Sequence, residues 1–405
     1  MAGSNAAVVR VRLTNSAERW VRKQHPWLYA ESIREQSRVA EAGDLAVIYD
    51  RRGKQMALGL FDPDSPIRIR VLHRGGPRVL DRELFAERLR AAAALRAGLG
   101  AGNTTGYRLA NGESDGLPGL VVDLYAGTCV VKLYTAAWRP HLDEIVAALH
   151  SVAAPERIVL RLARAVAPAL AAHGLADGAV LAGPPLDGAV EYRELGLRFR
   201  CDPAHGQKTG AFLDQRENRA SVAARARGKS VLDAFCYVGG FSLHAARGGA
   251  ARVLSLDASK VALDEARANF AANRDAPGVA ACAHELLQGD AFQALAELAG
   301  AGRRFELVVL DPPALAHRKE DVPGALAAYA RLAELGARLL ARGGQLVAAS
   351  CSARVTADDL AGALHAGVTR AGRVLREEER SAHAVDHPVT FPEGAYLKCL
   401  FLRED

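Results

Sequence analysis

Cysteine is scarce and scattered: Cys129, Cys201, Cys236, Cys282, Cys351 and Cys399 are the six, and no two form a C-x-x-C pair. That spacing argues against both a disulfide framework and a zinc site, so free thiols and no metal are expected. Long apolar runs are missing too. Stretches such as Ile145–Leu149 and Leu307–Leu310 fall well short of the roughly 20 residues that span a bilayer, so no membrane partner is expected. The first thirteen residues alternate arginine with valine and carry neither an apolar signal core nor a small-residue cleavage site. A cytoplasmic setting follows as the expectation. Low-complexity tracts are absent beyond Ala-rich helical stretches such as Leu89–Leu99.

What is present is ordinary globular usage: 405 residues, 50% hydrophobic and 24% charged. A chain of this length exceeds one core, which predicts two or three domains. The formal net charge is +6, and its distribution is uneven. Residues 1–74 hold thirteen Lys and Arg against eight Asp and Glu. Such an excess suits a surface that meets a polyanionic backbone; a solvated basic face is the alternative, and charge alone does not separate them.

From Val8 to Leu72 short segments alternate apolar and polar residues, as in Val8–Leu13, Asp44–Asp50 and Ile67–Leu72, with Asp50-Arg51-Arg52-Gly53 as a hairpin turn. Period-two alternation predicts half-buried strands and hence a small β-barrel. The order of His25-Pro26-Trp27-Leu28-Tyr29, Gly43-Asp44 and Ala57-Leu58-Gly59-Leu60 resembles the PUA fold, a compact barrel found on RNA-modifying enzymes. Gly75-Gly76-Pro77 then reads as a linker. A helical run from Asp81 to Leu99, a Gly/Asp-rich loop around Glu113 and Asp115, strands near Val121 and Cys129–Tyr134, and a helix over Pro140–Leu149 predict a middle α+β domain over 78–190. Turn chemistry accounts for Glu113 and Asp115.

After Gly228 the pattern becomes buried strand, Gly-rich turn and helix, repeated through Ser230–Phe235, Val253–Asp257, Leu307–Asp311 and Gln345–Ser350. Strands apolar on both faces and separated by helices predict a doubly wound parallel α/β sheet, with ligands beyond the strands' carboxyl ends. The first turn, Asp233 to Ser242, contains Gly239-Gly240 but neither G-x-G-x-x-G nor a P-loop lysine. Dinucleotide and ATP readings lose weight. An acid ahead of two glycines suits a methionine amino group and carboxylate, Asp257 suits a ribose diol, and Asp290 suits an adenine amine; caps and turns are the competing account. Asp311-Pro312-Pro313 ends the fourth strand, where the prolines fix an extended turn that aims the carboxylate at the pocket. Ser350-Cys351-Ser352 ends the fifth. Cys129 and Cys399 read as small core hydrophobes, whereas Cys351 stands at a strand end across from Asp311.

Asp233–Phe241, Asp311-Pro312-Pro313, Ser350-Cys351-Ser352, Asp386-His387-Pro388, Pro392–Lys398 and His205–Arg219 closely resemble the RlmI-like 23S ribosomal RNA cytosine methyltransferases, over essentially the whole chain. The resemblance implies a PUA-like domain over 1–74, a middle domain over 78–190 and a class I methyltransferase domain over 191–405. It implies S-adenosylmethionine as cofactor and ribosomal RNA, naked or in a particle, as partner, with a homodimer as a possibility. Cytosine C5 is a poor nucleophile, so the chemistry calls for a thiolate adding at C6; Cys351 is the candidate nucleophile and Asp311 the group that hydrogen-bonds the ring. Asp233, Phe235, Gly239, Gly240, Phe241, Asp257, Asp290, Asp311 and Phe212 are the candidate cofactor contacts. Lys208, Arg216, Arg22, Lys23 and His387 are the candidate RNA contacts, with His387 held by its loop neighbours and Asp214 as a helix cap as the competing accounts. Many RNA cytosine methyltransferases carry a second cysteine beside the D-P-P position; here Pro312, Pro313 and Ala314 follow, which leaves the C5 base unassigned. Purine methylation, with Cys351 incidental, and a catalytically inactive RNA-binding or assembly protein are the other readings.

Overall fold

A computed structural model describes residues 7–404, so residues 1–6 of the N-terminal stretch lie outside the described residues. The chain divides into two compact units: Met1–Gly196 with Cys201–Leu213 and Asp386–Phe391, and Leu197–Arg200 with Asp214–Val385 and Pro392–Asp405. The segments 1–74 and 78–190 thus share one unit, and residues 201–213 and 386–391, expected in the C-terminal domain, belong with them.

In the first unit, strands β1 (Val8–Leu13), β2 (Trp27–Tyr29), β3 (Ile33–Gln36), β4 (Leu45–Tyr49), β5 (Gln55–Phe61) and β6 (Ile67–Arg74) form a sheet of order β2-β6-β5-β4-β1-β3. The period-two reading holds at residue level: Val9, Val11 and Leu13 are buried and Arg10 and Arg12 exposed. These apolar faces meet Ala46, Ile48, Ile69 and Val71 in one core. The hairpin at Asp50 closes as predicted, with Asp50 Oδ1 accepting from the Arg52 and Lys54 amides at 2.9 Å and Gly53 at φ +74°.

A second sheet, β7 (Gly106–Asn111), β8 (Leu120–Tyr125), β9 (Thr128–Leu133), β10 (Arg157–Leu162) and β11 (Val180–Ala182), runs in the order β11-β10-β9-β8-β7 and is parallel only at β9/β10. Its apolar face and the helices Arg82–Leu95 and Leu142–Ala153 bury Phe85, Trp138 and Ile145. The loop acids are structural. Asp115 receives Arg96 bidentately at 2.6 and 3.0 Å, both side chains almost fully buried, and Glu113 accepts from Trp27 Nε1 at 2.8 Å. Arg96 also donates to the Ala92, Arg108 and Asp386 carbonyls, so its guanidinium is satisfied on every side. Asp386 in turn takes the Arg108 amide at 2.8 Å and His387 Nδ1 at 3.0 Å.

Strands β12 (Val190–Glu194) and β13 (Leu197–Cys201) follow. The second unit is built on β14 (Ser230–Ala234), β15 (Arg252–Asp257), β16 (Ala283–Gln288), β17 (Phe305–Leu310), β18 (Leu340–Ser350), β19 (Leu375–Ser381) and β20 (Lys398–Glu404). The order β16-β15-β14-β17-β18-β20-β19 reverses direction beside β14. The first five strands are parallel and β20 is antiparallel to both neighbours, so the doubly wound sheet is as expected, with a closing antiparallel pair that the sequence pattern had not signalled. On one face Leu232, Leu256, Leu310 and Leu346 pack with Tyr329, Leu332 and Leu335 of helix Val322–Arg338. The other face carries Asp233 and Ser255, which pair across β14 and β15.

Removing one partner of a buried ion pair strands the other in a low dielectric. Asp115→Ala should therefore cost the first unit about 3–5 kcal/mol. All three tryptophans, Trp20, Trp27 and Trp138, lie in that unit, so a denaturation midpoint followed by tryptophan fluorescence reads the loss directly; an unmoved midpoint would show that the Arg96 pair contributes nothing net.

Candidate active site

Asp233, Asp257, Asp311 and Cys351 stand at the carboxyl ends of β14, β15, β17 and β18. The turn after β14 is tightly wound: Phe235, Tyr237 and Gly239 have φ of +63°, +50° and +78°. Two non-glycine residues in the left-handed region store strain of the order of 1–3 kcal/mol each, a cost usually met at functional turns. Asp257 braces this turn, accepting from the Tyr237 amide at 2.9 Å and from the Ser259 amide at 2.9 Å. The close approach at the glycines is made by protein: a Cβ on Gly239 would lie 3.0 Å from Ala266 Cβ, and one on Gly240 would lie 3.1 Å from Arg219 Cδ. Phe235 is half-buried and Phe241 is buried.

Asp233 is fully buried. Its Oδ2 accepts from the Ser242 amide at 2.9 Å and hydroxyl at 2.6 Å, while Oδ1 has no partner among the described residues. Burial pushes its carboxyl up to about 7, with the charges of Asp311 and Asp257 adding to the rise and the Ser242 bonds opposing it. Asp290 is exposed and caps helix Ala291–Gly300 by accepting from the Gln293 amide at 3.1 Å, the cap role weighed against adenine contact.

Asp311 follows β17 directly, and its Oδ1 accepts from Gln215 Nε2 at 3.0 Å. Cys351, half-buried, sits between two serines that are fixed from several sides. Ser352 Oγ accepts from the Leu315 and Ala316 amides at 3.0 and 3.2 Å, which ties the turn after β18 to the chain leaving Asp311-Pro312-Pro313. The Tyr329 hydroxyl reaches Ser350 Oγ at 2.8 Å and Ser352 Oγ at 3.2 Å. Both Cys351 and Asp311 act on that hydroxyl electrostatically. The two expected reacting groups thus share one neighbourhood.

Lys398 was quoted in the sequence only as part of a motif, with no role. It is buried, opposite Ser350 in the β18/β20 register, and donates to the Ser352 carbonyl at 2.6 Å and the Tyr396 carbonyl at 3.0 Å. Burial pulls its ammonium down to about 8, against the attraction of Cys351 and Asp359. No sequence period marks a lysine on a core strand; only the pairing of β18 with β20 reveals its neighbour.

Arg216 is not a surface cation: its side chain is 1% exposed and meets Glu217 at 3.0 Å, because a buried guanidinium must be paired. His387 is also buried, with Nδ1 on Asp386 at 3.0 Å. Asp214 is buried and accepts from the Tyr396 hydroxyl at 2.8 Å. Lys208 stacks its ammonium 4.4 Å from the Phe212 ring, and both belong to the first unit. Arg22 and Lys23 are exposed, Arg22 reaching Glu18 at 3.3 Å. Cys129 and Cys399 are core residues, the Cys129 thiol raised to about 12 by burial. Among the described residues no cluster of metal-ligating side chains occurs and no helix is long and apolar enough to cross a membrane.

A family model for S-adenosylmethionine-dependent methyltransferases matches residues 115–403, and a PUA-like domain model matches residues 11–74. The chain belongs to the S-adenosylmethionine-dependent methyltransferases. This methyltransferase is 49% identical over 99% of both chains to a ribosomal RNA large subunit methyltransferase of Deinococcus radiodurans. It is 36% identical to ribosomal RNA large subunit methyltransferase I of Photobacterium profundum, over 96% of this chain and 97% of that one. Among solved structures, one assigned as a methyltransferase and holding S-adenosylhomocysteine matches with TM-score 0.82 at 22% identity, over 98% of this chain and 100% of that one. A Streptococcus mutans methyltransferase matches with TM-score 0.80 at 21% identity, over 97% and 99%. At those identities the likeness shows the fold. The cofactor of the family is S-adenosylmethionine, and the site fits it on one observation: a buried carboxylate oxygen of Asp233 lacks a donor among the described residues, which an ammonium would supply.

A carboxyl raised to about 7 from an ordinary 3.8 binds its proton more tightly in the folded chain than in the unfolded one. Its stability contribution is then full below about pH 4 and is lost as pH rises to about 7. Asp233→Asn, which cannot ionise, should flatten that fall in stability in calorimetric scans across the interval; an unchanged slope would show that Asp233 is not the group responsible.

Proposed function

We propose that this methyltransferase methylates C5 of a cytosine in large-subunit ribosomal RNA, with Cys351 as nucleophile. The observation that carries the reading is the adjacency of a half-exposed thiol and a D-P-P carboxylate at neighbouring strand ends, joined by the Ser352 bonds to Leu315 and Ala316. The names of relatives at 49% and 36% identity support the RNA class. The Lys398 ammonium beside Cys351 favours a thiolate, as cationic neighbours do.

In this reading the Cys351 thiolate adds to C6, and Asp311 supplies the proton that the ring N3 takes up while it accepts from the exocyclic amine. Electron density gathered at C5 then forms the new C–C bond. When bound, S-adenosylmethionine would supply the electrophilic methyl on its sulfonium, with the thioether as leaving group. Loss of the C5 proton to a base re-forms the C5–C6 double bond, N3 returns its proton, and the thiolate departs. Asp233 accepts the cofactor's ammonium, and Asp257 and Asp290 face its ribose and adenine. The basic N-terminal domain, with Arg22 and Lys23 exposed, holds RNA phosphate. Purine methylation needs only the D-P-P carboxylate and leaves the placement of Cys351 without a purpose.

Cys351→Ala should abolish methyl transfer to ribosomal RNA while leaving S-adenosylmethionine affinity unchanged, since the thiol serves only the reacting base. Mass mapping of RNA from cells that lack and then regain the protein should show one methylcytidine appear. Full transfer by the alanine variant would move the assignment to a base nitrogen.

A further inference from the structure

Asp233 is the inner end of a hydrogen-bonded line of side chains. Ser242 Oγ lies 2.6 Å from Asp233 Oδ2, Ser255 Oγ lies 2.6 Å from Ser242 Oγ, and His284 Nε2 lies 2.9 Å from Ser255 Oγ. The register produces the line. Asp233 pairs with Ser255 across β14 and β15, and His284 pairs with Val253 across β15 and β16, so all three side chains leave the sheet on one face. Ser242, in the first turn of helix Gly240–Arg247, covers them. Ser242 and Ser255 are fully buried. His284 stacks on Phe270 with ring centroids 3.5 Å apart and lines a cavity of about 340 Å³ with Arg267, Arg274 and Cys282.

Each hydroxyl has one proton, which fixes the direction of the line. When Asp233 is a carboxylate, Ser242 donates to it, Ser255 donates to Ser242, and His284 must donate from Nε2. We propose that Ser242, Ser255 and His284 form a relay that holds Asp233 as the carboxylate receiving the cofactor's ammonium, which makes His284 a positioning residue for cofactor binding.

The inference rests on the reading that Asp233 accepts that ammonium. The groups around the relay agree with it. Asp257 and Asp311 at the neighbouring strand ends oppose ionisation of Asp233, and Cys236, kept as a thiol by burial, faces Ser255. Against these two acids and the burial, the Ser242 bonds are the opposing influence on Asp233. At the outer end burial, aided by Arg267, pulls His284 down to about 4. It is therefore a neutral ring near pH 7, able to carry its one proton on Nε2 for the relay.

The test is calorimetric titration of the full chain with S-adenosylhomocysteine between pH 6 and 9, beside 5′-methylthioadenosine, which lacks the ammonium. Parent affinity for S-adenosylhomocysteine should fall as pH drops through about 7, whereas methylthioadenosine affinity should stay level. His284→Phe keeps the stack on Phe270 and removes the donor, and it should move the midpoint up by about one pH unit. Ser255→Ala should do the same, and His284→Gln, which keeps an N–H, should stay near the parent midpoint. Midpoints that coincide in the parent and both disrupted variants would overturn the relay, as would an equal loss of both ligands. A parent curve without any fall near pH 7, together with full affinity in Asp233→Asn, would instead overturn the ammonium assignment itself.

Discussion

The hydroxyl of Ser352, accepting at once from the Leu315 and Ala316 amides, joins the two turns on which the proposed chemistry depends. Parallel pairing already sets β17 beside β18, but a strand end is free to splay. The two amides fasten the turn that carries Cys351 to the chain leaving Asp311, and Tyr329 secures the same turn from the helix side. The prolines at 312 and 313 have no amide to compete for that hydroxyl. The proposed reacting groups are thereby positioned by backbone donors and buried hydroxyls, with the buried Lys398 ammonium on the Ser352 carbonyl adding a charged tie to the same turn.

Charge is then spent sparingly and in buried places. Asp233 and Lys398 are both moved toward neutrality by burial, and each stands where a reacting or binding partner would reward the charged form. A carboxyl near 7 and an ammonium near 8 lower the stability of the empty fold at neutral pH. The same two groups are poised to gain when an ammonium and a thiolate face them. The first unit follows the opposite rule: Arg96, Asp115 and Asp386 are buried charges whose partners are all internal, so they fix the fold and leave nothing for a ligand.

Much of this was legible in the sequence because it rests on local period and turn chemistry. Val9, Val11 and Leu13 alternate with exposed arginines as read, Gly53 closes the predicted hairpin, and the strand before Asp311-Pro312-Pro313 ends at Leu310, where the prolines say it must. Arg216 was weighed by side-chain type, and type does not reveal that its guanidinium is buried; His387 is held by its neighbour Asp386, the competing account given for it. Lys398 escaped notice because an antiparallel pairing of β20 with β18 has no signature in a run of apolar residues. At Gly239 and Gly240 the close approach is made by protein atoms, Ala266 Cβ and Arg219 Cδ.

The central claim is that Cys351 bonds covalently to C6 of a cytosine during methyl transfer. Ribosomal RNA carrying 5-fluorocytosine tests it most directly, because fluorine cannot leave as a cation and elimination stalls after the methyl group has moved. Denaturing electrophoresis of the full-length enzyme incubated with that RNA and S-adenosylmethionine should show a cofactor-dependent adduct, mapped by peptide mass to Cys351 and absent in Cys351→Ala. Methyl transfer to the natural RNA with no such adduct on the fluorinated one would contradict the account.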